Sequence, residues 1–79
     1  MNEDQNKGLK NGATVLTRTT LEFRTYDIII AKWGEQFVTA CHRPNEKEWF
    51  SGHYFRSLAF AVADAEERVK SYNRVAAAV

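Results

Sequence analysis

Polar and apolar positions change their rhythm three times along this chain, and each change marks an element. Residues 1–12 (MNEDQNKGLKNG) are polar, contain Gly8 and Gly12, and show no periodicity, which reads as a flexible N-terminal arm. From Ala13 the composition turns to β-formers, and Leu21, Phe23 and Thr25 alternate with Glu22 and Arg24 at the period of two that a half-buried strand requires. One strand is expected within 13–24 and a second across 26–33, where Ile28-Ile29-Ile30 makes both faces apolar. Gly34-Glu35 offers a type II′ hairpin connection to a return strand through Phe37-Val38-Thr39-Ala40-Cys41. A three-residue turn including Gln36 is the alternative, and it shifts the pairing register. Arg43-Pro44-Asn45-Glu46-Lys47 is a turn, since Pro44 cannot donate to a ladder. Trp49-Phe50 and His53-Tyr54 suggest a fourth short strand with a bulge or bend at Gly52.

In the last third the period lengthens to that of a helix. Leu58, Val62, Ala65, Val69 and Tyr72 form one apolar stripe, Ser57 is a suitable N-cap, and Asp64→Arg68 and Glu66→Lys70 have the spacing of weak acid-to-base pairs. The helix is expected to fray near Asn73, leaving 75–79 as a tail. The expected fold is α+β: a small antiparallel sheet of three to four strands with one C-terminal helix packed on one face, all within a single domain over 13–74.

Length narrows the functional classes. A domain of 79 residues supports one thin core, with little room for a deep cleft or a large cofactor pocket. Eleven basic and ten acidic residues give a net charge of +1, which is neither the basic stripe of a phosphate binder nor the acidic excess of a DNA mimic. Cys41 is the one cysteine, so no internal disulfide forms and a cytoplasmic setting is expected. No apolar run approaches a membrane span or a secretion signal.

Candidate chemistry is sparse. Cys41, His42, His53 and Glu46 have no metal-ligand spacing, and Cys41 and His42 are adjacent on a strand and so point to opposite faces. Cys41 reads as a small core residue, and the histidines as hydrogen-bonded surface imidazoles. No nucleophile with an adjacent base, no paired carboxylates outside the solvated Glu46-Lys47-Glu48 loop and no glycine-rich phosphate loop occur. A non-enzyme without cofactor or metal is the expectation.

The aromatics say more. Two Trp, three Tyr and five Phe exceed what one helix covers on a sheet whose second strand is apolar on both faces. The uncovered face is either partly closed by the N-terminal segment or left for a partner or a second copy of the chain. Trp33 at the hairpin, Trp49 and Phe50 after the Pro44 turn, and the charged Arg24 and Arg43 are the candidate partner-binding residues, since aromatic and arginine anchors dominate binding energy. Aromatics beside Arg18, Arg24, Lys32 and Arg43 would also suit a small nucleic-acid-binding module, although the near-neutral charge speaks against direct nucleic-acid binding.

The stretches YDIIIAKWGEQFVTACHR, WFSGHYF and SLAFAVADAEERVKSY resemble antitoxin domains of the HicB type, which run strand, turn, strand, glycine-bearing strand, helix. That resemblance implies a protein that neutralises a toxin. As a lone small domain with a sheet-plus-helix plan rich in aromatics, the chain is also similar to phage-encoded anti-CRISPR proteins, in particular the type I-C inhibitor group. That resemblance implies stoichiometric binding to the protein subunits of a CRISPR surveillance complex (Cascade) in the bacterial cytoplasm, blocking its engagement with target DNA.

Overall fold

A computed structural model describes Leu9 and residues 12–78, with side chains through Arg74. Four strands, β1 (Thr14–Thr20), β2 (Asp27–Trp33), β3 (Gln36–His42) and β4 (Phe50–Phe55), form one antiparallel sheet in sequence order, and a C-terminal helix, α1 (Leu58–Ala78), crosses it. This is the expected α+β architecture. The β2–β3 register pairs Trp33 with Gln36, so the hairpin is the two-residue turn. Gly34 takes φ 61° while Glu35 stays out of the left-handed region, as a type II′ turn demands. At the next corner Glu46 N–H donates to the Arg43 carbonyl at 3.1 Å. Pro44 fixes the first central position there, and Asn45 supplies the positive φ of the second, 77°. β4 carries the expected irregularity: pairing steps from Thr39↔His53 to Cys41↔Phe50, one residue longer on β4, with Ser51 at φ 56°.

Strand alternation divides the core in two. On the helix side, Ile28, Ile30 and Cys41 meet Ala61 and Ala65, with Leu21, Tyr26, Phe50, Phe55, Val69 and Tyr72 around them. On the far side, Ile29, Ala31, Val38 and Ala40 pack with Leu9, Ala13, Val15 and Trp49. Leu9 is buried, so at this one position the expected arm is part of the core; residues 1–8, 10 and 11 lie outside the described set. Leu9 and Ala13 thus close the centre of the far face, while the described residues leave its hairpin end open.

Ser57 caps α1, its hydroxyl accepting from Phe60 N–H at 3.4 Å. The buried stripe matches the expected one at Ala65, Val69 and Tyr72, which pack on the core, and departs from it in the first half of the helix. Ala61, Ala65 and Arg68 face the sheet, whereas Leu58 and Val62 sit on a flank and remain substantially exposed. An alanine at the point of closest approach lets the helix seat tightly, and Arg68 reaches past it to sheet acceptors. The helix also continues to Ala78, through residues expected to fray and to form a tail. Val75-Ala76-Ala77-Ala78 contains no breaker, and alanine has the highest helix propensity.

Candidate binding surface

On the far face, the side chains that stay in solvent converge at the β2–β3 hairpin end. Trp33 continues the Ile29–Ala31 row of β2, and Tyr54 stands opposite Val38 across β3–β4. Trp49, just ahead of β4, reaches between them. The rings of Trp33 and Trp49 meet edge-on at 5.8 Å and 82°, and Trp33 and Tyr54 lie 6.2 Å apart at 50°. Trp49 Nε1–H donates to the Tyr54 hydroxyl at 3.3 Å. Trp33 is 39% and Tyr54 50% exposed, while Trp49 is half-buried against the core. Gly52 makes the arrangement possible: a Cβ there would stand 2.8 Å from the Tyr54 hydroxyl and 3.2 Å from Trp49 Nε1. The result is a three-ring platform on sheet backbone, with the size and mixed polarity of an interaction hot spot.

The five residues singled out in the sequence separate into three places. Trp33 and Trp49 share the platform. Phe50 and Arg43 lie on the helix side, where the guanidinium covers the Phe50 ring at 4.8 Å and the Tyr26 ring at 5.9 Å. Arg24 belongs to the β1–β2 loop, its Nε buried without a hydrogen-bond partner. Tyr54, the third ring, was not singled out; its signal is the register that sets it across from Val38. Two of the bases expected to line a nucleic-acid platform are engaged elsewhere: Lys32 lies over Phe37 at 5.5 Å on the helix side, and Arg18 pairs with Asp27.

Two polar networks hold the sheet beneath these surfaces. His42 is fully buried, contrary to the surface imidazole expected from its turn position. Arg18 donates to Asp27 and to His42 Nδ1, each at 3.0 Å. Because arginine only donates, Nδ1 accepts, and Nε2 carries the proton that goes to the Glu46 carbonyl at 2.8 Å. The second network lies on the helix side. Thr39 and His53, the latter at 2.9 Å, both donate to Asp64, and Arg68 donates to the Thr39 carbonyl at 3.1 Å and to Cys41 Sγ at 3.4 Å. Asp64 and Arg68 therefore turn to the sheet instead of forming a plain surface pair. Burial pushes the Asp64 carboxyl up, but the Thr39 and His53 hydrogen bonds and the His53 and Arg68 charges pull it lower than its ordinary 3.8.

Cys41 is buried, on the opposite face from His42. Among the described residues no three His, Cys, Asp or Glu side chains are grouped to hold a metal ion. No helix among them is long and apolar enough to cross a membrane. Protein-family models, curated proteins and solved structures contain no match to this chain.

Proposed function

We propose that this chain is a non-enzymatic, cytoplasmic binding protein that acts as a stoichiometric inhibitor, occluding a larger macromolecular machine with one sheet face. The observation that carries this reading is the Trp33–Trp49–Tyr54 platform: three touching rings, two of them well exposed, held on paired strands. Exposed aromatic groups of this kind are the usual anchors of protein–protein contacts. Arg18, Lys32 and Arg43 are engaged away from the platform, which favours a protein surface over a phosphate backbone as the target. Through the likeness to anti-CRISPR proteins, the target is the protein subunits of a type I CRISPR surveillance complex. A second reading is neutralisation of a toxin, favoured by the order of β2, β3, the glycine-bearing β4 and α1, which repeats the HicB-type pattern.

Titrating the chain into purified type I-C surveillance complex while following target-DNA binding tests the first reading. Inhibition complete near one chain per binding site supports it. DNA binding that is unaffected at saturating protein, or inhibition that grows with time at catalytic amounts, contradicts it.

A further inference from the structure

Phe23 sits in the β1–β2 loop with φ 64°, a left-handed conformation that strains any side chain other than glycine, and its ring is 79% exposed. The loop that presents it is clamped. Leu21 is buried, Glu22 N–H donates to Asn73 Oδ1 at 3.1 Å, and Tyr26 meets Phe50 and Tyr72 edge-on. The strained backbone costs the monomer stability, and a ring that is 79% exposed regains little of it through burial.

Beside this loop runs a groove. α1 packs on β2, β3 and β4, and one helix of about 10 Å diameter cannot roof four strands spaced about 4.8 Å apart. The β1 side is left as an open groove of about 650 Å³, walled by Thr19, Ile28, Ile30, Val62 and Val69, with Glu66 and Lys70 on its lip. Such a volume accommodates an aromatic side chain. Knob and groove adjoin, because Asn73, which anchors the loop, lies one helical turn beyond Val69 and Lys70.

We propose that two copies of this chain associate about a two-fold axis, the Phe23 ring of each entering the β1–α1 groove of the other. A two-fold contact requires a surface complementary to itself, and an apolar knob next to an apolar groove meets that requirement. The lip charges meet it too. Glu66 and Lys70 stand one turn apart, so two-fold packing of lip against lip reverses their order and sets each Glu66 against the other copy's Lys70. With one ring and one groove per copy, the dimer is expected to be weak and concentration-dependent. It occupies the helix side and leaves the Trp33–Tyr54 platform of each copy free, so the dimer presents two platforms at once.

Sedimentation equilibrium from low-micromolar to near-millimolar protein tests this, with melting curves recorded for each variant. The mass should rise from 9.1 kDa towards twice that value. Phe23→Ser should raise the dissociation constant roughly 30-fold or more, the size of a hot-spot truncation, without lowering the melting temperature. Val62→Glu, which charges the groove from the other side of the contact, should have the same effect. A parent chain that stays monomeric across the range, or a dimer that survives either substitution in a folded variant, overturns the proposal.

Discussion

A buried His42 that accepts from Arg18 and donates to the Glu46 carbonyl has no apolar substitute. Replacing it with phenylalanine fills the space but leaves one donor and one acceptor desolvated. His42→Phe should therefore cost about 2–4 kcal/mol in urea denaturation. His42→Gln, which can supply both an acceptor and a donor, should cost clearly less. Equal losses would mean that shape, and not hydrogen bonding, matters there. Asp64 makes a pH-dependent contribution. Its folded carboxyl titrates below its ordinary 3.8, so the unfolded chain binds the proton more readily. The stability it adds is complete above pH 3.8 and is lost as the pH falls from there through the lower folded value. Asp64→Asn keeps an oxygen for Thr39 but cannot titrate. The variant should show a flatter acid limb below pH 3.8, and an unchanged limb would remove Asp64 from the account.

At the scale of elements, the orientation of α1 makes a sharp distinction between neighbours. Ala61 is fully buried and Val62 is 38% exposed on the groove. Ala61→Asp should destabilise the fold by about 3 kcal/mol or more, because it places an unpaired charge against Ile28 and Cys41. Val62→Asp should cost about 1 kcal/mol or less in thermal melts. Similar losses at both positions would show that the helix is rotated from this setting. This rotation was not legible in the sequence, where Leu58 and Val62 outweigh an alanine on any apolar scale. What decides it is the close seat on the sheet and the acceptors that Thr39 offers Arg68, and both come from residues far away in the chain. β2, β3 and β4 were legible because turn chemistry punctuates them, with Gly34, Pro44-Asn45 and Ser57 each acting within a few residues; the alternation over residues 21–25 was misleading, since it lies in the loop after β1. Trp33 and Trp49 could be read as a pair of turn-side aromatics. Their meeting, and the part played by Tyr54, depend on pairing across three strands and on the extra residue in β4, which local pattern does not encode.

For the whole molecule, the two faces of the sheet are covered to different extents by different means. α1 covers the helix side from β2 to β4, and Leu9, Ala13 and Trp49 close the centre of the far side. On the far face the described residues leave the hairpin end open, and a sheet held by polar networks on both sides presents it with little freedom to rearrange. Rigid presentation lowers the entropic cost of binding. Trp33 separates function from folding better than Trp49 does, since Trp49 also packs against the far-side core and its loss would weaken the fold. The most direct measurement is the affinity of the parent and Trp33→Ala for purified type I-C surveillance complex, with a melting curve for each protein. Trp33→Ala should weaken binding by about 2 kcal/mol or more while the melting temperature falls only slightly. A folded Trp33→Ala that binds as the parent does would contradict it.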